Sequence, residues 1–353
     1  MKIKQKIIKP SFHDYQMKET YKDIYKDYYS FKTHEIQNAL KIIKKNLKES
    51  KIALPAIKKI KVINIGTGRE AVAFHNLGVN KVFHFDVSEI SVNKIKKLQK
   101  NNNIYSNIQT QKTDICLPQK LLKNENANFV YFNGVLHHLY NPKQAIENIH
   151  QALAPGGKIF LRIYRSGSLA FFVVDFIRKF IRFHDRKVVN NVFKKQFTFR
   201  SAKNRQIFSD LNDDFFVPVL KLFCPKALKI FFLKNKYKLI FLNQSYPYNH
   251  SDNSIDGQGI SLIFQKVGNN KTIKGEFPES IDQNFGIIYK EKLLKKLCKI
   301  MKECLPFIQK ASKYKRAKLA VVLYKVSQLM RINKKINKTK KWSEILNLVK
   351  QFS

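Results

Sequence analysis

Between Lys61 and Asp86 the chain reads KVINIGTGREAVAFHNLGVNKVFHFD, and this stretch constrains the fold more than any other. Val62 to Ile65 is an apolar run of strand length, Gly66-Thr67-Gly68 breaks it, Ala71 to Leu77 has helical character, and a second apolar run ends in Asp86. A strand, a glycine turn, a helix and a strand in such quick succession predict a βαβ unit with parallel strands. The residue types of the turn carry a chemical expectation as well. Glycines at 66 and 68 let the backbone turn sharply and approach a ligand, while the helix behind them offers unpaired amides and the positive end of its dipole. An acid at the tip of the next strand accepts two hydrogen bonds from a ribose diol. The stretch therefore predicts a cradle for a nucleoside-bearing cofactor.

The loop leaves the nucleoside open. Gly66 to Ala71 satisfies G-x-G-x-x-A, and Asp86 lies 20 residues beyond Gly66, which fits the dinucleotide site of a Rossmann oxidoreductase. From Ile60 to about Tyr164 strand and helix patterns go on alternating, which predicts a parallel α/β sheet. A helix is expected over Ser91 to Lys100, followed by Ile108 and Thr113-Asp114-Ile115. The run Phe129 to Phe132 leads into Asn133-Gly134-Val135-Leu136-His137-His138-Leu139. A helix after Pro142 is expected to stop at the turn Ala154-Pro155-Gly156-Gly157, before a strand from Lys158 to Tyr164.

Four pieces thus occur in order: VINIGTGRE, VFHFDVS, TDI, and FVYFNGVLHHLYNPKQAIENIHQALAPGGKIFLRIY. Together they resemble the class I S-adenosylmethionine-dependent methyltransferases, especially the branch acting on small molecules, over about residues 58 to 165. The L-H-H-L and P-G-G material has no place in a dehydrogenase and favours the methyl-donor reading. The resemblance implies a Rossmann-like α/β domain with a seven-stranded, mostly parallel sheet, here with added N- and C-terminal helices. It also implies S-adenosyl-L-methionine as cofactor. On the matching positions, Asn64, Gly66, Thr67 and Gly68 would lie at the methionyl end, and Asp86 would hold the ribose hydroxyls. Val87 would touch the adenine, Asp114 its amino group and Ile115 a ring face, with Asn133 and Val135 beneath the reactive methyl. The family's loop usually starts with an acid and carries a third glycine; here those positions are Asn64 and Glu70. His138 matches the family's habitual histidine. With His137 it is the candidate for a base or an acceptor-orienting group, because imidazole titrates in the useful range.

Composition bears on partners. The 353 residues carry 67 Lys and Arg against 25 Asp and Glu, a net charge of +42. Such a field attracts nucleic acid, anionic membrane or phosphorylated compounds. Wealth in Lys, Asn and Ile, whose codons can be A/T-only, accounts for part of it without any partner. Four cysteines without a C-x-x-C pair or a histidine at ligand spacing predict a reduced protein without structural zinc. No apolar run reaches the length of a bilayer span, so a cytoplasmic location is expected, with peripheral contact to anionic membrane left open.

Outside the core the patterns are simpler. Ile36, Ala39, Leu40, Ile43 and Leu47 recur at helical spacing and predict a helix against the sheet, with Tyr28 and Tyr29 as an alternative cover for a pocket. Past Tyr164, Leu169, Phe172, Val173, Phe176, Ile177 and Phe180 form a broad apolar face, read as a lid or as a membrane-interfacial helix. Asp213 and Asp214 are expected near a substrate loop or at a helix cap and turn. A helix from Pro225 to Lys234 and strands at Tyr237 to Leu242 and Ser261 to Val267 complete the sheet. From Lys290 onward 19 Lys and Arg face three Glu, in three short helices that suggest a bundle or an oligomer contact. The expected division is an N-terminal helical segment at 1–57, a methyltransferase domain at 58–268 with a lid or insertion at about 166–235, and a basic extension at 269–353. The expected activity is methyl transfer to a hydroxyl or amine of a small or lipid-linked metabolite, such as a glycan sugar or a quinone-type precursor. The alternatives are a nucleic-acid methyltransferase, argued from charge alone, and a non-catalytic basic module on the same scaffold; oligomeric state is left open.

Overall fold

The computed structural model describes residues 15–17, 19–22, 31–102, 105–119, 122, 125–164, 169–197, 202–243, 259–270, 272–278, 292–332, 343, 347–349 and 351. Seven strands form one sheet: β1 Lys61–Ile65, β2 Lys81–Asp86, β3 Ile108–Lys112, β4 Ala127–Asn133, β5 Leu153–Tyr164, β6 Tyr237–Asn243 and β7 Gly259–Lys266. Their order is β3-β2-β1-β4-β5-β7-β6, with only β7 antiparallel to its neighbours. This is the mostly parallel Rossmann-like sheet of class I methyltransferases. The chain runs outward from β1 to β3, then restarts at β4 on the other side of β1. The strand order therefore reverses between β1 and β4, where the carboxyl ends of the strands open a crevice.

The helices of the α/β core are α1 Thr33–Glu49, α2 Gly68–Asn76, α3 Glu89–Asn102 and α4 Pro142–Ala152. Burial on both faces explains the near-continuous apolar strands: Val62, Ile63, Phe129, Val130, Tyr131 and Phe132 are all fully buried. The apolar stripe of α1 buries Ala39, Ile43 and Leu47 against one face, as its spacing requires. Its Asn46 donates to the Tyr131 hydroxyl at 2.8 Å, satisfying a phenol in the middle of the sheet. Helix α4 starts on the Asn141 side chain, which accepts from the Gln144 backbone N–H, and has Pro142 in its first turn.

Two segments differ from expectation. The P-G-G turn lies inside β5, which begins at Leu153. Leu153 already pairs with Ala127, and pairing resumes at Phe129 with Lys158, so the turn bulges out of an unbroken strand rather than preceding it. Asp213 and Asp214 lie neither in a loop nor at a cap. They belong to a helix, Ala202–Phe216, that the sequence pattern hides because its polar and apolar residues are mixed along its length.

That helix is α7 of a second layer, with α5 Leu169–Arg178, α6 Arg186–Gln196, α9 Lys292–Lys310 and α10 Lys313–Ile332, while α8 Pro225–Lys234 packs on the sheet through Leu228, Phe231 and Phe232. The segment after β5 and the C-terminal extension share an apolar core: Val173 and Phe176 of α5, Phe193 of α6, Phe215 of α7, Met301 of α9 and Tyr324 of α10 belong to one cluster. A fully buried Asp185 ties the halves together, accepting from Arg316 at 3.2 Å through both carboxylate oxygens. The expected face of α5 is buried where it is described, at Val173, Phe176 and Ile177. Among the described residues no helix is long and apolar enough to cross a membrane. Tyr28, Tyr29 and most of the expected third C-terminal helix lie outside the described residues.

Candidate active site

The glycine turn fixes the crevice. Gly66 has φ +118°, a conformation closed to other residues, and a Cβ there would come within 2.9 Å of a Val135 methyl. Its N–H donates to the Phe85 carbonyl, and its own carbonyl accepts from His84 Nε2 at 2.8 Å, so neighbouring strand β2 clamps the turn. His84 is buried, and that burial lowers its pKa to about 4, so the imidazole is a neutral strut. Gly68 does a different job. Its N–H is taken by the Ser91 hydroxyl at 3.0 Å and a Cβ would strike Ile95 at 2.8 Å, so this glycine lets α2 pack on α3.

A cavity of about 330 Å³ opens from this turn along the carboxyl ends of the strands. Of the residues singled out in the sequence, Gly66, Thr67, Asp86, Val87, Asp114, Ile115, Asn133, Val135, His137 and His138 line it. Asn64 and Gly68 do not; they support the wall from behind. Asp86 closes β2 with one carboxylate oxygen accepting from the Ser88 N–H at 2.8 Å. Asp114 is held by the Cys116 N–H at 2.9 Å and the Tyr140 hydroxyl at 2.8 Å.

Glu70 shows what became of the missing loop acid. The side chain, 5% exposed, turns back under the loop. One oxygen accepts from Asn133 Nδ2 at 2.6 Å and the other from Asn64 Nδ2 at 3.2 Å. Burial raises its pKa, against the opposing pull of the two amides and of Arg69 and Arg162. Position 64 has lost its acid and position 70 has gained one, and the two side chains meet. A carboxyl group thus remains in the wall at the same end of the crevice.

The far end is built from the turn Leu136–His138, from β5 and from α7. His137 and His138 are both buried, with ring centroids 4.2 Å apart. His137 stacks on Tyr164 at 3.6 Å, and its Nδ1 accepts the Tyr164 backbone N–H at 3.3 Å. His138 donates from Nδ1 to the Val219 carbonyl at 3.0 Å and from Nε2 to Asp213 at 3.1 Å. Sequence reasoning left Asp213 between a substrate loop and a helix cap, and it missed the partner because 75 residues separate it from His138. Met17 and Tyr21 of the N-terminal segment, Arg162 and Asp210 also line the cavity; Arg162 sits inside the β5 piece without having been singled out, and the other three carried no recognisable motif.

Residues 63–161 match the family described as a methyltransferase domain. The core of this chain is an S-adenosylmethionine-dependent methyltransferase domain. The crevice of this methyltransferase domain suits its cofactor. Two hydroxyls in the cavity wall, Thr67 Oγ1 and Thr113 Oγ1, are buried without a hydrogen-bond partner among the described residues, and the space beside Gly66 exists only because that residue lacks a Cβ. No protein with a curated description matches the chain in sequence. Among solved structures, it is similar to a 1,6-didemethyltoxoflavin-N1-methyltransferase of Burkholderia thailandensis, at 11% identity over 75% of this chain and 94% of that one, with a TM-score of 0.42. An S-adenosylmethionine-dependent methyltransferase of Aquifex aeolicus aligns at 12% identity over 64% and 89%, with a TM-score of 0.37. One from Mesorhizobium loti aligns at 12% over 60% and 93%, with a TM-score of 0.39.

Proposed function

We propose that the methyltransferase domain modifies a hydroxyl or amine on a small or lipid-linked metabolite, such as a glycan sugar or a quinone-type precursor. The carrying observation is that one cavity, about 330 Å³ and roofed by α7 and the N-terminal segment, joins the cofactor crevice to the His137–His138–Asp213 cluster. A cavity of that size, shared with the cofactor, has room at the histidine end for a small acceptor or one reactive headgroup rather than a polymer.

When bound, S-adenosylmethionine supplies a methyl on a sulfonium, so the driving force comes with the donor and the protein provides orientation and a dry site. Asp86 would accept from the ribose hydroxyls, Thr67 and the Gly66 backbone would meet the methionyl end, and Glu70 would lie toward its ammonium. Asp114 and Ile115 would hold the adenine beside Val87. Asn133 and Val135 would form the floor under the methyl, with Asn133 held still by Glu70.

Titration calorimetry with S-adenosylhomocysteine tests the cofactor assignment: the wild type binds, and Asp86→Ala loses at least tenfold in affinity, about 1.4 kcal/mol. Binding indifferent to that substitution would overturn it. Labelled methyl transfer into cell extract then locates the acceptor, with label expected in the small-molecule or lipid fraction. Label in nucleic acid would refute the proposed acceptor class and give the net charge of +42 its purpose.

A further inference from the structure

The two histidines, neighbours in sequence and alike in burial, face different hydrogen-bond partners, and those partners favour different proton counts on the two rings. Both nitrogens of His138 face groups that only accept, the Val219 carbonyl and the Asp213 carboxylate. Each nitrogen must therefore carry a proton, and His138 is an imidazolium with no lone pair to offer. Burial opposes that charge, but Asp213, its hydrogen bond, the Val219 carbonyl and Asp214 outweigh it and raise the pKa. His137 is the reverse. Its Nδ1 accepts a backbone N–H, so the ring proton sits on Nε2, and burial, His138 and Arg162 hold the ring neutral. That Nε2–H is buried and without a partner among the described residues, in a side chain 1% exposed that lines the cavity. A buried donor of this kind is destabilising unless a ligand fills it.

The lining of the cavity thus includes one donor without a partner and one carboxylate held by a cation. Asp213, whose side chain is 21% exposed, lines the cavity from α7. We propose that the acceptor is a hydroxyl seated between His137 Nε2 and Asp213, with Asp213 as the catalytic residue and His138 as its positioning residue. A hydroxyl oxygen has two lone pairs: one accepts from His137, the other attacks the methyl, and the O–H points to Asp213. As the oxygen–carbon bond forms and the sulfur–carbon bond breaks, the proton passes to the Asp213 carboxylate and a neutral thioether leaves. The sulfonium's positive charge and the carboxylate's negative charge are both consumed, so the balance closes without a further reactant. A neutral amine has a single lone pair, which His137 would occupy, and an ammonium has none. The pair therefore selects oxygen over nitrogen.

This rests on the methyl-transfer reading above, and the test separates the two. In full-length protein with 15N-labelled histidine and bound S-adenosylhomocysteine, His138 should show both ring nitrogens protonated at pH 7, and His137 a neutral Nε2–H ring. Their signals are assigned with the single His137→Phe and His138→Gln variants. Asp213→Asn should return His138 to a neutral ring while S-adenosylhomocysteine affinity stays unchanged. It should lower labelled methyl transfer into extract by about 10²–10⁴-fold, with partial recovery in Asp213→Glu. The titration reports on Asp213 and Asp214 of α7, His137 in the same turn, and Arg162 of β5, the charged and titratable groups around His138. A wild-type His138 with an unprotonated nitrogen at pH 7 would overturn the proposal, as would a product methyl on nitrogen. Failure of the wild type to bind S-adenosylhomocysteine would instead overturn the reading on which it rests.

Discussion

Replacing Glu70 separates what its shape does from what its charge does. In the native site its two oxygens take one amide N–H each from Asn133 and Asn64, at 2.6 and 3.2 Å. Glu70→Ala leaves both donors buried and unmet, at about 1–3 kcal/mol each, so roughly 2–6 kcal/mol of stability is lost. Glu70→Gln keeps the oxygen that Asn133 needs. Its new amide then faces Asn64, whose Oδ1 is buried and has no partner, so a flip of the Asn64 amide restores the second bond. Burial raises the pKa of Glu70, and the sign follows. With a folded pKa above the unfolded one, its contribution is fully present below the ordinary Glu value of 4.5 and is lost as pH rises through the folded value. The glutamine variant escapes that loss. Urea titrations should therefore find Glu70→Gln at least as stable as wild type at pH 8, with its advantage shrinking on acidification toward pH 4.5. The same variant should bind S-adenosylhomocysteine less tightly by about 1.5–3 kcal/mol, roughly 10- to 100-fold, because the ammonium loses its counter-charge. Equal destabilisation by Gln and Ala, or a pH-independent difference between Gln and wild type, would refute the reasoning.

Gly66→Ala combines a φ of +118° with a 2.9 Å approach to Val135. A loss of about 1–3 kcal/mol is expected, with weakened S-adenosylhomocysteine binding, read by thermal melting and calorimetry. His84, its pKa lowered to about 4 by burial, contributes stability that is full above its unfolded value of 6.5 and is lost as pH falls through the folded one. A 2.5-unit gap is worth about 3 kcal/mol, so denaturant midpoints should drop between pH 7 and 4, and less steeply in His84→Gln. Arg316→Ala strands the fully buried Asp185 and should cost about 3–5 kcal/mol, measured by denaturant melts. Loss of only a few tenths would show that this ion pair adds little to the joint between the two halves of the helical layer.

Local rules carried most of the sheet. Apolar runs bounded by glycine or asparagine located β1, β2, β4, β6 and β7, and Pro142 with its Asn141 cap set the start of α4. The residues named for the cofactor, apart from Asn64 and Gly68, fall along one cavity because they lie at the ends of β1, β2, β3 and β4 and in the loops that follow them. Helix α7 was not readable, because its polar and apolar residues mix along its length and leave little periodic signal. The Lys-rich C-terminal helices read as an appendage. Their role in completing the core around α5, α6 and α7 depends on contacts more than a hundred residues apart in sequence.

The sequence alone determined that a glycine turn follows the first strand and an acid ends the second, because backbone conformation and strand pattern are local properties of a few residues. It also showed that the loop's acid is missing from position 64. Only the tertiary structure decided that Glu70 meets Asn64 and Asn133, and that Gly68 serves packing while Gly66 serves the cavity. Above all it gave two adjacent histidines different protons. Each ring's state is set by what faces its two nitrogens, and those partners, Tyr164, Val219 and Asp213, come from a strand, a connecting segment and a helix that only folding brings to one place.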